Sequence, residues 1–133
     1  MGFRTVITKE DLLKGEIIKP GWTPCEVTSY EEKPADTDKS VNLLYILTVI
    51  DGPDKGKGGM LRFNEKALGF GKKFWPLVIT GWKGDGTDEM SSERAASAVG
   101  KKLKVFWQTG KGTKKDGTPG NEYNEAKDFM PIA

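Results

Sequence analysis

Two alternating runs near the end of the chain set aromatic rings among cations. In "KKLKVFWQT", read as a strand over residues 101–109, Leu103, Val105 and Trp107 share one face while Lys102, Lys104, Phe106 and Gln108 share the other. In "NEYNEAKDFMPI", Tyr123, Glu125, Lys127 and Phe129 lie opposite Asn124, Ala126, Asp128 and Met130. The segment between, "GKGTKKDGTPG", combines turn residues with Lys111, Lys114 and Lys115, the composition of a long exposed hairpin loop over 110–120. Rings flanked by cations suit a polyanion that carries flat bases: bases stack on the rings, phosphates meet the ammonium groups, and neither contact depends on sequence. Lys102, Lys104, Phe106, Lys111, Lys114, Lys115, Tyr123 and Lys127 are therefore candidate contacts to a single-stranded nucleic acid. Arg62 joins them because it alternates with Leu61 and Phe63. Tyr45 is a further candidate whose face stays open, since both faces of its strand are apolar. Each residue also has a plainer account: a ring packed in the core, a lysine that keeps a loop solvated, an arginine in a surface ion pair.

Other chemistry finds little support in these residues. Histidine is absent and Cys25 is the single cysteine, which removes the commonest general base and the usual zinc ligand sets. The run "GPDKGKGG" falls one residue short of a phosphate loop and has Gly58 where a magnesium-holding hydroxyl belongs, so it reads as a turn. Pro53-Asp54 and Glu125-Ala126-Lys127 echo the acidic and lysine elements of a metal-dependent nuclease. Pairs so far apart arise readily by chance. A binding protein with no cofactor and no metal is expected, not an enzyme.

These side chains must be positioned by one domain, because 133 residues supply a single core. Thr8 as a cap, acidic residues in the first turn and Gly15 as a stop predict a short helix over 8–15. Three strands are expected within 21–67: "WTPCEVTSYEE", the doubly apolar "VNLLYILTVID", and "MLRFNEKA", the last two joined as a hairpin through "DGPDKGKGG". The period then changes. Phe70, Phe74, Leu77, Val78 and Gly81 stand at helical spacing around Pro76, and "SSERAASAVG" has a serine cap and a glycine stop, giving a helical segment over 69–100. Strands four and five follow within 101–131. Three strands, a helical insertion and two strands is the order of a five-stranded OB-fold barrel with a short N-terminal helix; an SH3-like barrel or another α+β sandwich fits the first half equally well, and the position of the helical insertion favours the OB order.

Net charge is only +2, but its distribution is uneven. Residues 10–38 carry eight acidic side chains against three basic, residues 55–83 seven basic against one acidic, and residues 101–127 seven lysines against three carboxylates. Segregation of this kind can present a basic face to a polyanion. No apolar run approaches the length of a membrane span, the first residues lack the pattern of an export signal, and one cysteine precludes an internal disulfide. The expected setting is the cytoplasm, with no membrane partner.

The closing "GNEYNEAKDFMP", the "GPDKGKGGMLRFN" of the second hairpin and the aromatic helical stretch between them resemble small phage-encoded single-stranded DNA-binding proteins of replication and recombination modules. The resemblance runs over most of the chain from Pro20 onward and implies an OB barrel that coats unwound DNA, with its groove along strands two to five. One departure is the ending "DFMPIA", which lacks the acidic run with which many such proteins recruit partner enzymes. The expected partner is single-stranded DNA, with replication or recombination proteins and pairing into a homodimer as further associations. A protein-interaction module on the same barrel, without intrinsic DNA binding, is the alternative.

Overall fold

The computed structural model describes residues 16–35, 38–113 and 119–132. The helix expected over 8–15, and with it Lys114 and Lys115, lies outside them. The described chain is mainly β: one five-stranded antiparallel sheet in the order β3-β2-β1-β4-β5, with short helices between β3 and β4.

Strand β1 (Gly21–Pro34) occupies the centre, pairing with β2 (Val41–Val49) from Cys25 to Pro34 and with β4 (Lys102–Thr113) from Gly21 to Glu26. A bulge between Val27 and Ser29 inserts Thr28, whose hydroxyl meets that of Thr48 at 2.9 Å. An extra residue bends a strand, and beyond the bend Tyr30 packs with its ring centroid 4.9 Å from that of Tyr45. In β2, alternation places Leu43, Tyr45, Leu47 and Val49 in the core, with Asn42, Leu44, Ile46 and Thr48 between them on the other face. Strand β3 (Gly58–Asn64) pairs with β2 so that Arg62 stands beside Leu44 and Met60 beside Ile46. The strand stops where the Asn64 side chain turns to accept a hydrogen bond from the Lys66 amide.

The segment after β3 departs from the expected run of helix. A 3-10 helix over Glu65–Gly71 is broken by a non-helical Ala67, and α1 (Trp75–Val78) is a single turn with Pro76 at its start. Proline has no amide to give a preceding turn, so helix can begin there but not run through. Phe74, Trp75, Val78 and Ile79 nevertheless fill the core. Phe70 does not share their face. The next helix, α2 (Ser92–Ala96), follows its sequence signals: the Ser91 hydroxyl accepts from the Arg94 amide at 3.1 Å, and Ala95 and Ala98 are buried.

Strands β4 and β5 (Pro119–Met130) form a longer hairpin than the turn composition suggested, pairing out to Thr113 and Pro119. Leu103, Val105 and Trp107 are fully buried as their alternation requires, and the Trp107 indole donates to the Thr23 hydroxyl at 2.8 Å.

The sheet coils until its two edges, β3 and β5, approach one another. Among the described residues no backbone ladder joins them, so the sheet is open. Asn124 makes the connection instead. Its buried amide donates to the Gly58 carbonyl at 2.9 Å and the Glu16 carbonyl at 2.7 Å, and its oxygen accepts from the Ile18 amide at 2.8 Å. Close approach demands a small residue opposite: a Cβ on Gly59 would lie 2.7 Å from the Trp107 ring and 3.0 Å from the Asn124 carbonyl.

Candidate nucleic-acid interface

Coiling of the sheet leaves a cleft between the outer face of β2 and β3 and the β4–β5 hairpin. Its wider part, about 700 Å3, is lined by Ile46, Thr48 and Met60 on one side and by Tyr123 on the other, with Thr28 and Ser29 of the bulge at the base. Farther along β3 and β5 a second hollow, about 390 Å3 and sharing no lining residue with the first, is bordered by Arg62, Asn64, Phe70, Glu125 and Lys127.

Local packing fixes the side chains in this cleft. The Tyr123 ring lies over Gly110, where a Cβ would come within 2.5 Å of it, so the glycine leaves room for the ring to rest on backbone. Tyr123 remains 47% exposed and Met60 56% exposed, an open ring facing an open thioether. An exposed tyrosine on rigid strand backbone is a ready stacking surface, because little ordering entropy is lost when a base covers it. Lys127 is drawn to Glu125 at 2.9 Å, a partly exposed pair that leaves the ammonium hydrogens able to reach a phosphate. Arg62 is exposed and makes no ion pair within 4 Å among the described residues. Its planar fork of donors is suited to phosphate oxygens. Glu122 also lines the wider part, and stands across the ladder from the exposed Lys111.

The residues singled out by sequence fall in three places. Arg62, Lys127 and Tyr123 line the cleft, with Lys111 on the hairpin arm beside it. Lys102, Lys104 and Phe106 do share a face, but that face is the outer side of β1, β4 and β5, outside the cleft. There Phe106 meets Trp22 edge-on at 5.4 Å, Lys102 stands opposite Glu26, and Lys104 lies between Pro24 and Met130. Tyr45 belongs to neither place. It is fully buried, ringed by Tyr30, Phe63, Phe74 and Trp75, and its hydroxyl donates to the Ala95 carbonyl at 2.8 Å. Burial, with a smaller push from the Glu32 carboxylate, raises its phenol well above the usual range. Tyr45 is thus corrected to a core residue: the inward face of β2 claims it. Tyr45→Phe should cost about 1 kcal/mol of stability, because the Ala95 carbonyl loses the shorter of its two hydrogen bonds and keeps only the Ala98 amide at 3.3 Å, and should leave oligothymidine affinity unchanged; urea unfolding with a binding titration checks both.

The nuclease echo takes a structural form. Asp54 accepts from the Lys57 ammonium at 2.8 Å and from the Lys19 amide at 3.0 Å, which hold its carboxyl below the ordinary carboxylate range, Lys57 contributing most. Glu125 is engaged with Lys127. Among the described residues no three acidic or cysteine side chains gather as a metal site would require.

Ile46, Met60 and Phe70 are cleft residues that the sequence reading passed over. Met60 and Arg62 share one face of β3, so the alternation that selected Arg62 also pointed to Met60. Phe70 was hidden by its helical spacing. No protein-family model matches the sequence, and no curated protein matches it. Among the described residues no helix is long and apolar enough to cross a membrane.

Proposed function

We propose that the chain is a sequence-independent single-stranded DNA-binding protein on an OB-type barrel, acting in the host cytoplasm during phage DNA replication or recombination. The observation that carries this reading is the cleft itself, in which an exposed ring on one wall, Tyr123, is followed along the same strands by Arg62 and Lys127. Bases would stack on Tyr123 against the apolar wall of Ile46 and Met60, while the phosphates meet Arg62, Lys127 and Lys111. An order of β3-β2-β1-β4-β5, with helices between β3 and β4 and the two edges brought together, supports the OB assignment. The phage context rests on the resemblance of "GNEYNEAKDFMP" and "GPDKGKGGMLRFN".

The test is fluorescence anisotropy with labelled strands of equal length. Oligothymidine and a mixed-sequence strand should bind with similar affinity and a duplex much more weakly, since a duplex hides its base faces. Preference for the duplex, or for one sequence, contradicts the proposal.

A protein-interaction module remains the second reading, and one observation favours it. Trp22, 43% exposed, with Pro24, Phe106 and Met130 makes an apolar surface on β1, β4 and β5 away from the cleft. A stable complex with a replication protein in the absence of DNA, lost in Trp22→Ala, would support it.

A further inference from the structure

Phe70 is the most exposed large apolar side chain among the described residues, at 87%. Its position is built. The 3-10 helix that carries it must pass close beneath Trp75, since a Cβ on Gly71 would lie 2.5 Å from the indole nitrogen, and that nitrogen donates back to the Leu68 carbonyl at 2.8 Å. With Gly71 pinned against the core, Phe70 is turned to solvent. A single exposed phenylalanine is ordinary on a protein surface. This one lines the same small cleft as Arg62 and Lys127, so a ring, a guanidinium and an ammonium, the last paired with the Glu125 carboxylate, border about 390 Å3.

We infer that Phe70 is a second base-stacking platform, and that with Arg62 and Lys127 it forms a nucleotide subsite separate from the one at Tyr123. The inference rests on the single-stranded DNA reading and adds to it the path of the strand and its minimum length. A base lies on Phe70 and its phosphate meets Arg62 and Lys127, while the Asn64 amide, which donates to Ser40 and Asn42 and accepts from Lys66, only shapes the wall. Tyr123 and Lys127 are four residues apart on β5, about 13 Å along a strand, so one mononucleotide cannot occupy both subsites. An oligomer that bridges them gains from both. A shorter one can sit at either, and is little affected by the loss of one.

The experiment compares wild type, Phe70→Ala and Phe70→Trp with a thymidine dinucleotide, too short to bridge the two subsites, and with an oligothymidine of about twelve nucleotides, within the range for single OB folds. Exposure of the side chain makes both variants safe for folding. Phe70→Ala should bind the longer strand roughly 5- to 10-fold more weakly, at the low end for one stacked base, and the shorter strand almost normally. In Phe70→Trp the longer strand should quench fluorescence beyond the quenching in wild type. Equal affinity of Phe70→Ala and wild type for the longer strand, without added quenching in Phe70→Trp, overturns the subsite while the DNA-binding reading stands. No binding by wild type at all removes that reading and the subsite with it. If Phe70→Ala changes sedimentation but not strand binding, the ring serves a contact between copies and the proposal is overturned.

Discussion

Tyr123→Ala should weaken oligothymidine binding by roughly 5- to 150-fold, the equivalent of about 1–3 kcal/mol for one stacked base, with no comparable loss of stability. The ring packs against the Gly110 backbone and is about half exposed, so little burial is lost with it. Tyr123→Phe should bind nearly as wild type, because stacking uses the ring face and not the hydroxyl. Phe106→Ala supplies the contrast, since Phe106 packs with Trp22 outside the cleft. Anisotropy titrations of the three variants, alongside their urea midpoints, separate the two positions. Normal binding by Tyr123→Ala would remove the cleft as the binding surface.

Asn124→Leu should cost about 3 kcal/mol. The replacement conserves much of the volume but strands the buried Ile18 amide, for which about 1–3 kcal/mol is expected, and takes a donor from the partly buried Glu16 and Gly58 carbonyls, which adds a smaller amount. A thermal midpoint lower by roughly 10 °C follows for a chain of this size. Asn124→Asp gives a finer test. It keeps an acceptor for Ile18 but turns a carboxyl toward two carbonyl oxygens, so its folded-state pKa is raised above the unfolded value of about 3.9. A raised acid binds more protons in the folded state. The deficit relative to wild type should therefore be smallest below about pH 4 and grow as pH rises through the folded pKa. Wild-type stability of Asn124→Leu would show that the two sheet edges are held together by something other than this amide.

Strand periodicity carried most of the fold. The alternation through Leu103, Val105 and Trp107 named core residues correctly because the strand buries one face, and a one-residue slip would expose all of them. The cap at Ser91 was legible because its signal is local. The helical spacing around Pro76 is realised as a single turn with Pro76 in its first turn, as proline requires, but apolar spacing says nothing of a break at Ala67 or of how short the helix must be to plug the core. Tyr45 was ambiguous for a related reason: on a strand apolar on both faces, only the register with β1 and β3 decides which side is inside.

The site was half legible. Periodicity gave the face on which Lys102, Lys104 and Phe106 stand, and the structure keeps them together there. What a linear reading could not supply is which outer face becomes concave. That depends on the bulge at Thr28 and on the coiling that brings β5 to β3, and it is why Arg62 and Lys127, 65 positions apart, share a cleft that Lys104 does not line.

The central claim is that the cleft binds single-stranded DNA through its phosphates and bases, and the salt dependence of oligothymidine affinity tests it most directly. With Arg62, Lys127 and Lys111 each meeting one phosphate, the plot of log affinity against log salt should have a slope of about −2. Affinity should then fall roughly 20-fold between about 50 and about 200 mM salt. Binding with no dependence on salt, or none at the lower concentration, would contradict the account.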